Sequence, residues 1–313
     1  MWLFIIRRVV ATIPVMVVVA LAVFLLLRLS PGDPATVIAG DYASAEQIAR
    51  IRVQLGLDQP IHVQFVRWIT QILSGDLGVS IFSNLPVTTL IRQRIEPTLL
   101  LSITTIGLSV LIAVPLGVVA AWKANTIIDR AVMLFAVIGF SMPVFVIGYF
   151  LIYGFSLGLK VFPVQGYYSP LDDFSRFVSH ITLPTLTLST IYVALIARIT
   201  RASVLEVLSE DYIRTARAKG QIETKVMLVH ALGNAAVPIV TVIGLGVAFL
   251  IGGVVVTESV FNIPGLGRLV VDAIVKRDYP IIQGLILFFS LIYIGLNLVI
   301  DITYTVFDPR IRY

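Results

Sequence analysis

The stretch Asp211-Tyr-Ile-Arg-Thr-Ala-Arg-Ala-Lys-Gly220, running on through Gln221 to Pro238, is a polar, basic insert between two long apolar runs. Its small residues Thr215, Ala216 and Ala218 lead to a glycine, the one residue that enters the left-handed region without a Cβ penalty. That pattern predicts a short helix with a glycine stop. Read for charge alone, the same stretch is an inner-face loop. Positive residues gather on the cytoplasmic side of membrane proteins for topology alone, so Arg214, Arg217, Lys219 and Lys225 require no partner.

What flanks the insert bounds the fold. Of 313 residues 58% are hydrophobic, and the mean hydropathy is +0.97. A water-soluble domain around one core is excluded, and a multi-pass membrane protein is expected. Cysteine is absent, which removes disulfides, thiolate metal sites and a cysteine nucleophile. A net charge of +5 fits inner-face loops better than nucleic-acid binding.

Six apolar runs follow one another: Val9 to Leu27, Thr98 to Trp122, Ala131 to Leu157, Ile181 to Ile199, Val237 to Val256 and Ile281 to Tyr304. Each is near the ~20 residues that carry a helix across a hydrocarbon core, and in lipid a helix satisfies its own backbone. Leu27-Arg-Leu-Ser-Pro31 offers no small-x-small cleavage site, so the first run is expected to remain, with its N-terminus cytoplasmic. Both termini then lie inside, together with Lys123, Arg130, the stretch from Arg201 to Lys225, Arg310 and Arg312. The 23 Lys and Arg divide into 12 inside and 11 outside, five of the latter in a long first loop of the kind that crosses regardless of charge. The expected organisation is a first transmembrane helix over 1–29, an external, periplasmic helical insert over 30–97, and a five-span core over 98–313 with its cytoplasmic loop at about 201–236.

Within the insert, Ser44-Ala-Glu-Gln47 forms a capping box ahead of Ile48, Ile51 and Leu55, with Gly56 as a stop. Pro60 opens a second amphipathic helix carrying Phe65, Trp68, Ile69 and Ile72 and ending at Ser74-Gly75, and Pro86 starts a third. Fewer than 70 residues make a solvated cap rather than an independent ligand domain. Small and hydroxylated residues in the spans are expected to serve helix packing. They are Ser102, Thr104, Thr105, Gly107 and Ser109 in the second span, Thr185, Thr187, Ser189 and Thr190 in the fourth, and Gly244, Gly246, Gly252 and Gly253 in the fifth. Asp301 lies near the inner end of its span and reaches the interface, while Pro115, Pro143 and Pro184 can each bend a helix.

Spacing decides how 211–238 is read. The stretch resembles the cytoplasmic loop of the permease subunits of ABC importers, whose pattern is Glu-Ala-Ala, three residues, Gly, nine residues, then Ile-x-Leu-Pro. With Gly220 as the glycine, Ala216 matches the second alanine and Leu232 the leucine, whereas Arg214, Thr215, His230 and Gly233 depart from it. The fuller string Tyr212 to Gly220, followed by His230-Ala-Leu-Gly-Asn-Ala-Ala-Val-Pro238, is similar to the dipeptide, oligopeptide and nickel branch, where those departures are usual. Leu55-Gly-Leu-Asp-Gln-Pro60 and Ser74-Gly-Asp-Leu-Gly-Val-Ser80 resemble the first external loop of that branch. So do three further segments in their places: Val161-Phe-Pro-Val-Gln-Gly-Tyr167 leading to Leu183-Pro-Thr-Leu-Thr-Leu188, then Glu258-Ser-Val-Phe-Asn-Ile-Pro-Gly-Leu-Gly-Arg-Leu269, and Asp278-Tyr-Pro280.

The resemblance implies an all-α integral membrane protein of the bacterial inner membrane, with six transmembrane helices in the type I importer permease fold and an external insert after the first. It implies four kinds of partner: a second, similar permease subunit making a heterodimer, two cytoplasmic ATP-binding subunits that carry ATP and Mg, an external solute-binding protein, and the lipid bilayer. Asp211, Tyr212, Thr215, Ala216, Arg217, Ala218, Lys219 and Gly220 would couple to an ATPase as a helix in its groove. Glu258, Phe261, Asn262, Pro264, Gly265 and Gly267 would form an external loop that dips back between subunits. The solute implied is a di- or oligopeptide, or a nickel complex or glutathione on the same machinery.

The residues themselves oppose other classes. His62, His180 and His230 are scattered, and there is no Gly-x-Ser-x-Gly elbow, no His-Glu-x-x-His pair and no phosphate loop, so catalytic, metal and cofactor residues are expected to be absent and nucleotide chemistry to belong to another chain. A secondary carrier would show internal repeats and broken helices with paired charges near mid-membrane, and neither is legible. A stand-alone six-helix carrier or channel is the distant alternative.

Overall fold

Each apolar run folds as helix in the computed structural model, which describes residues 2–29, 35–36, 44–54 and 56–307. In chain order the helices are α1 (Trp2–Leu29), α2 (Ala45–Gln54), α3 (Ile61–Leu73), α4 (Val87–Trp122), α5 (Ile127–Ser141), α6 (Val144–Leu151), α7 (Phe174–Leu208) and α8 (Asp211–Ala218). A π-helical segment, Ile152–Gly158, extends α6. They continue with α9 (Glu223–Asn234, π-helical over Val226–Ala231), α10 (Ala236–Val260), α11 (Leu266–Lys276) and α12 (Tyr279–Phe307). Among the described residues the one β feature is an isolated bridge between Val79 and Pro86. Arg310 and Arg312, and the side chain of Asp301, lie outside what is described.

By length and apolarity, α4 and Tyr279–Ile300 of α12 qualify as straight membrane crossings, and Val10–Leu25 of α1 is a shorter apolar stretch. Two bent pairs qualify when each is taken as one crossing. Ile127–Ser141 meets Val144–Gly158 at 105°, so the single third span expected over Ala131 to Leu157 is in fact a broken helix. Pro143 is the cause: it follows the extended Met142 (ψ 132°), because a residue before proline is pushed out of the helical region. Glu223–Asn234 meets Ala236–Leu250 at 60°, which makes much of the expected loop after Gly220 helical. The insert's expected third helix is corrected too: from Val87 it runs without a break into the second span as α4, through Pro97 and Pro115.

α7 is the enclosed helix of its unit. Sixteen of its 35 residues are buried, Thr185, Thr187, Ser189, Thr200 and Ser203 among them. A helix enclosed by other helices does not need an apolar surface all round. Thr187 and Thr190 return their hydroxyls to carbonyls one turn back, and Thr104 on α4 meets Thr185 across the seam at 2.9 Å. At Gly117 of α4 an added Cβ would stand 2.5 Å from Thr200 Cβ and 2.7 Å from the Ala197 carbonyl oxygen, so the two backbones lie nearly in contact. The expected packing role therefore holds for Thr104, Thr105 and Ser109 of the second span, for the hydroxyl residues of the fourth, and in the fifth for Gly244, Gly246 and Gly253, while Gly107 and Gly252 face open space.

The chain divides into two compact units, residues 1–95 with 269–295 and residues 96–268 with 296–313. In the first, Phe24 of α1 is buried against Phe65 (ring centroids 5.1 Å apart) and Trp68 (5.5 Å) of α3. The predicted capping box is present: Ser44 N donates to Gln47 Oε1 (2.9 Å) and Gln47 N to Ser44 Oγ (3.3 Å). Two of the quoted strings also meet there, since Ser80 Oγ donates to Asp278 Oδ2 at 2.6 Å with both residues buried. The second unit is built around α7, whose Leu188, Tyr192, Ile196 and Ala197 join Leu101, Ala113, Val242, Leu250 and Phe261 in one apolar core.

Candidate coupling segment and external turn

Ser209 and Glu210 alone separate α7 from α8, and four residues separate α8 from α9. Asp211 occupies the first turn of α8 and Arg217 the last, each placed favourably for the helix dipole. The helix stops as its composition predicts. Gly220 has φ +75°, its N–H donates to the Arg217 carbonyl (2.9 Å), and Gln221 N–H donates to the Ala216 carbonyl (3.2 Å), the two bonds of a Schellman stop.

One face of α8 is anchored and the rest is open. Ile213 is fully buried, and the helix lies against the Val226–Ala231 segment, whose Val226, Met227 and Ala231 are buried in turn. Asp211, Tyr212, Arg214, Thr215, Arg217, Ala218, Lys219 and Gly220 are exposed, and Ala216 is half-buried. Arg214 touches Asp211 at 3.2 Å on the open surface, where an ion pair is worth little. Arg217 makes a two-pronged bond across the glycine stop, Nε to Glu223 Oε2 at 3.1 Å and Nη2 to Oε1 at 2.5 Å. That bond holds the Glu223 carboxyl below its ordinary range and raises the guanidinium. Burial and the neighbouring Glu210 carboxylate raise the Tyr212 phenol. The spacing of 217 and 223 carried the signal for this strut, but only once α9 was known to begin at Glu223.

The turn from Glu258 to Arg268 is organised by a carboxylate. Glu258, fully buried near the end of α10, accepts from Thr98 Oγ1 (2.5 Å) and from Arg268 N (2.9 Å), and Thr98 Oγ1 in turn accepts from Leu266 N (2.8 Å). A Cβ on Gly265 would stand 2.0 Å from Glu258 Oε1, and one on Gly267 2.7 Å from Val255 Cα. These two glycines are there for close approach. The left-handed residue of the turn is Asn262 (φ +52°), whose side chain accepts from Arg268. Phe261 is buried and its carbonyl accepts from Gly166 N, while Pro264 is exposed. The structure thus brings together all six residues singled out for this turn, and adds Thr98, which lay in another predicted span.

A third feature was not legible as a site. Asp129, in the first turn of α5 and 5% exposed at its side chain, takes Arg201 of α7 in a two-pronged bond and also accepts from Asn125 N at 2.9 Å. The sequence signal was an acid at the edge of one apolar run and a base at the same end of another. Among the described residues no group of three or more His, Asp or Glu could hold a metal ion.

Long apolar helices, two of them bent, with a short polar helix hung between two spans, define a helical multi-span membrane protein. The comparisons agree in fold. A chain of the MetNI methionine ABC transporter, solved in inward-facing conformations, superposes with a TM-score of 0.59 at 16% identity, covering 71% of this chain and 97% of that one. The description "binding-protein-dependent transport system inner membrane component" matches residues 113–313, and that of the N-terminal part of such components matches 1–102. The probable peptide ABC transporter permease protein y4tP of Sinorhizobium fredii is 54% identical over the full length of both chains. The glutathione transport system permease protein GsiC of Salmonella paratyphi A is 48% identical over 99% of each. The chain belongs to this family, the inner-membrane permease subunits of binding-protein-dependent ABC importers.

Proposed function

We propose that the chain is one of two similar permease subunits of an importer that passes peptides delivered by an external solute-binding protein and is driven by two cytoplasmic ATP-binding subunits. The full-length identity of 54% to a relative named as a probable peptide permease carries the solute class. Glutathione, itself a tripeptide, is the second reading, favoured by the 48% identity to the Salmonella protein. ATP and Mg belong to the partner subunits, and both termini face the cytoplasm.

In this reading Asp211 to Gly220 is the coupling helix. Its open face, held rigid by Ile213 below and by the Arg217–Glu223 strut at its end, seats in an ATPase groove, and closure of the ATPase pair tilts α7 and α10 between inward- and outward-open states. The turn from Glu258 to Arg268 is the external loop that dips back between subunits, and residues 30–97 form the periplasmic insert.

Purification of the tagged chain from its own membrane in mild detergent, with mass identification of what accompanies it, is the first test. A second six-span chain and Walker-motif ATPases in near-equal amounts are expected, and recovery alone under several detergents overturns the reading. For docking, Ala218→Cys is expected to crosslink to a cysteine in the ATPase groove, and failure at every position from 212 to 219 removes the coupling assignment. Uptake of labelled peptide against labelled glutathione, with the cognate binding protein supplied, separates the two solutes.

A further inference from the structure

Two arginines one turn apart on α7 have opposite surroundings. Arg201 is matched by the buried Asp129 carboxylate at the end of the bundle. Arg198 has no carboxylate and no hydrogen bond among the described residues; its guanidinium carbon lies 5.9 Å from the ring centroid of Phe140, and both side chains are exposed.

Its position is not that of an end-of-helix anchor. Helical side chains lean toward the N-terminus of their helix, which carries the Arg198 head away from Arg201 and toward the α5–α6 break. Phe140 follows Asp129 by eleven residues, roughly 16 Å of backbone rise along α5 at 1.5 Å per residue, and its ring leans part of the way back toward Asp129. The cation therefore lies between the Asp129–Arg201 pair and the α5–α6 break, beside the apolar runs Ala131 to Leu157 and Ile181 to Ile199. Facing lipid there is costly, and charged residues at such depth are found against water-filled cavities or partners. Stacking on a ring leaves the planar fork of N–H donors open, and that fork matches a carboxylate.

We propose that Arg198 lines a water-filled path through the assembled importer and holds the carboxylate of a passing solute beside Phe140. The inference rests on the importer reading above, and its test has one arm that needs no solute. Because this chain has no native cysteine, Phe140→Cys in the assembled importer reports water and charge at that spot through modification of this chain alone. The probes are an anionic (sulfonatoethyl) and a cationic (trimethylammonioethyl) methanethiosulfonate. The anionic reagent is expected to react on the order of tenfold faster when Arg198 is present than in the variant that also carries Arg198→Gln, with the cationic reagent showing the opposite. If neither reagent reacts, or if Arg198→Gln changes neither rate, the site is covered by lipid or by a partner subunit and the proposal is overturned. Val137→Cys, one turn away and also exposed, serves should Phe140→Cys not assemble.

The second arm compares uptake of trialanine and of its C-terminal amide. Arg198→Gln is expected to lower uptake of the free acid about tenfold, in line with loss of a hydrogen bond to a charged group, while Arg198→Lys retains part of it and the amide is little affected. Equal uptake of the acid with and without Arg198→Gln overturns the solute contact. An unsubstituted importer that carries neither compound overturns the peptide reading instead, and the reagent arm still decides the place of Arg198.

Discussion

At Gly220 and Gly265 two glycines are irreplaceable for different reasons, and substitution separates them. Nothing lies within 4 Å of a Cβ at Gly220, so the constraint there is φ +75° alone. Gly220→Val is expected to cost about 1–2 kcal/mol locally, to leave assembly intact and to uncouple ATP hydrolysis from transport. Unchanged transport would mean that the left-handed stop is dispensable. Gly265 has no positive φ but faces the Glu258 carboxylate at 2.0 Å. Gly265→Ala is expected to destabilise by about 1–3 kcal/mol, read as a lower thermal midpoint of the purified protein in detergent, and an unchanged midpoint would sink the packing account. The first glycine was legible because a small-residue helix end followed by Gly predicts its own geometry. The second was legible only as a member of a string, because what excludes its Cβ is a side chain seven residues away whose placement depends on Thr98.

Between helices, the Asp129–Arg201 pair ties the start of α5 to the end of α7. Asp129→Ala orphans a guanidinium that keeps 24% of its side chain exposed, and a loss of about 3 kcal/mol is expected, the low end for breaking a buried pair. Adding Arg201→Met removes the orphan and is expected to recover part of that loss, measured by thermal unfolding in detergent; a double variant no better than the single one would show that the pair is not the tie. The Arg217–Glu223 strut is more exposed, and its effect is followed better by pH. Glu223 titrates below its ordinary range when folded, so its contribution is present in full above that range and disappears as pH falls through the lowered value. Amide exchange at Gln221 and Ile222 is therefore expected to speed on acidification relative to a Glu223→Gln variant, with equal exchange in the two at every pH counting against the strut. Periodicity placed these helices well and their ends poorly. A break such as Met142-Pro143 can be foreseen as a bend from proline chemistry, but its angle of 105° depends on how α6 packs against α7.

For the molecule as a whole, topology is the testable quantity. Ser44→Cys is expected to react with an impermeant thiol reagent from outside intact cells and Thr224→Cys only after the membrane is opened; the reverse pattern would invert every assignment of inside and outside. Hydropathy made the six runs visible, α7 among them, but not that α7 is the enclosed one, since the burial of its hydroxyls depends on the helices around it. Charge pairing between runs was invisible for the same reason: Asp129 and Arg201 are 72 residues apart, and their meeting is a property of the bundle.

The way α8 is hung has a mechanical consequence. Two residues join it to α7, four join it to α9, and those four are stiffened by the glycine stop and the Arg217–Glu223 bond. In the coupling reading proposed above, a linkage with so little slack works like a short crank: a push on its open face is not taken up in the tethers and arrives at both spans within the same stroke.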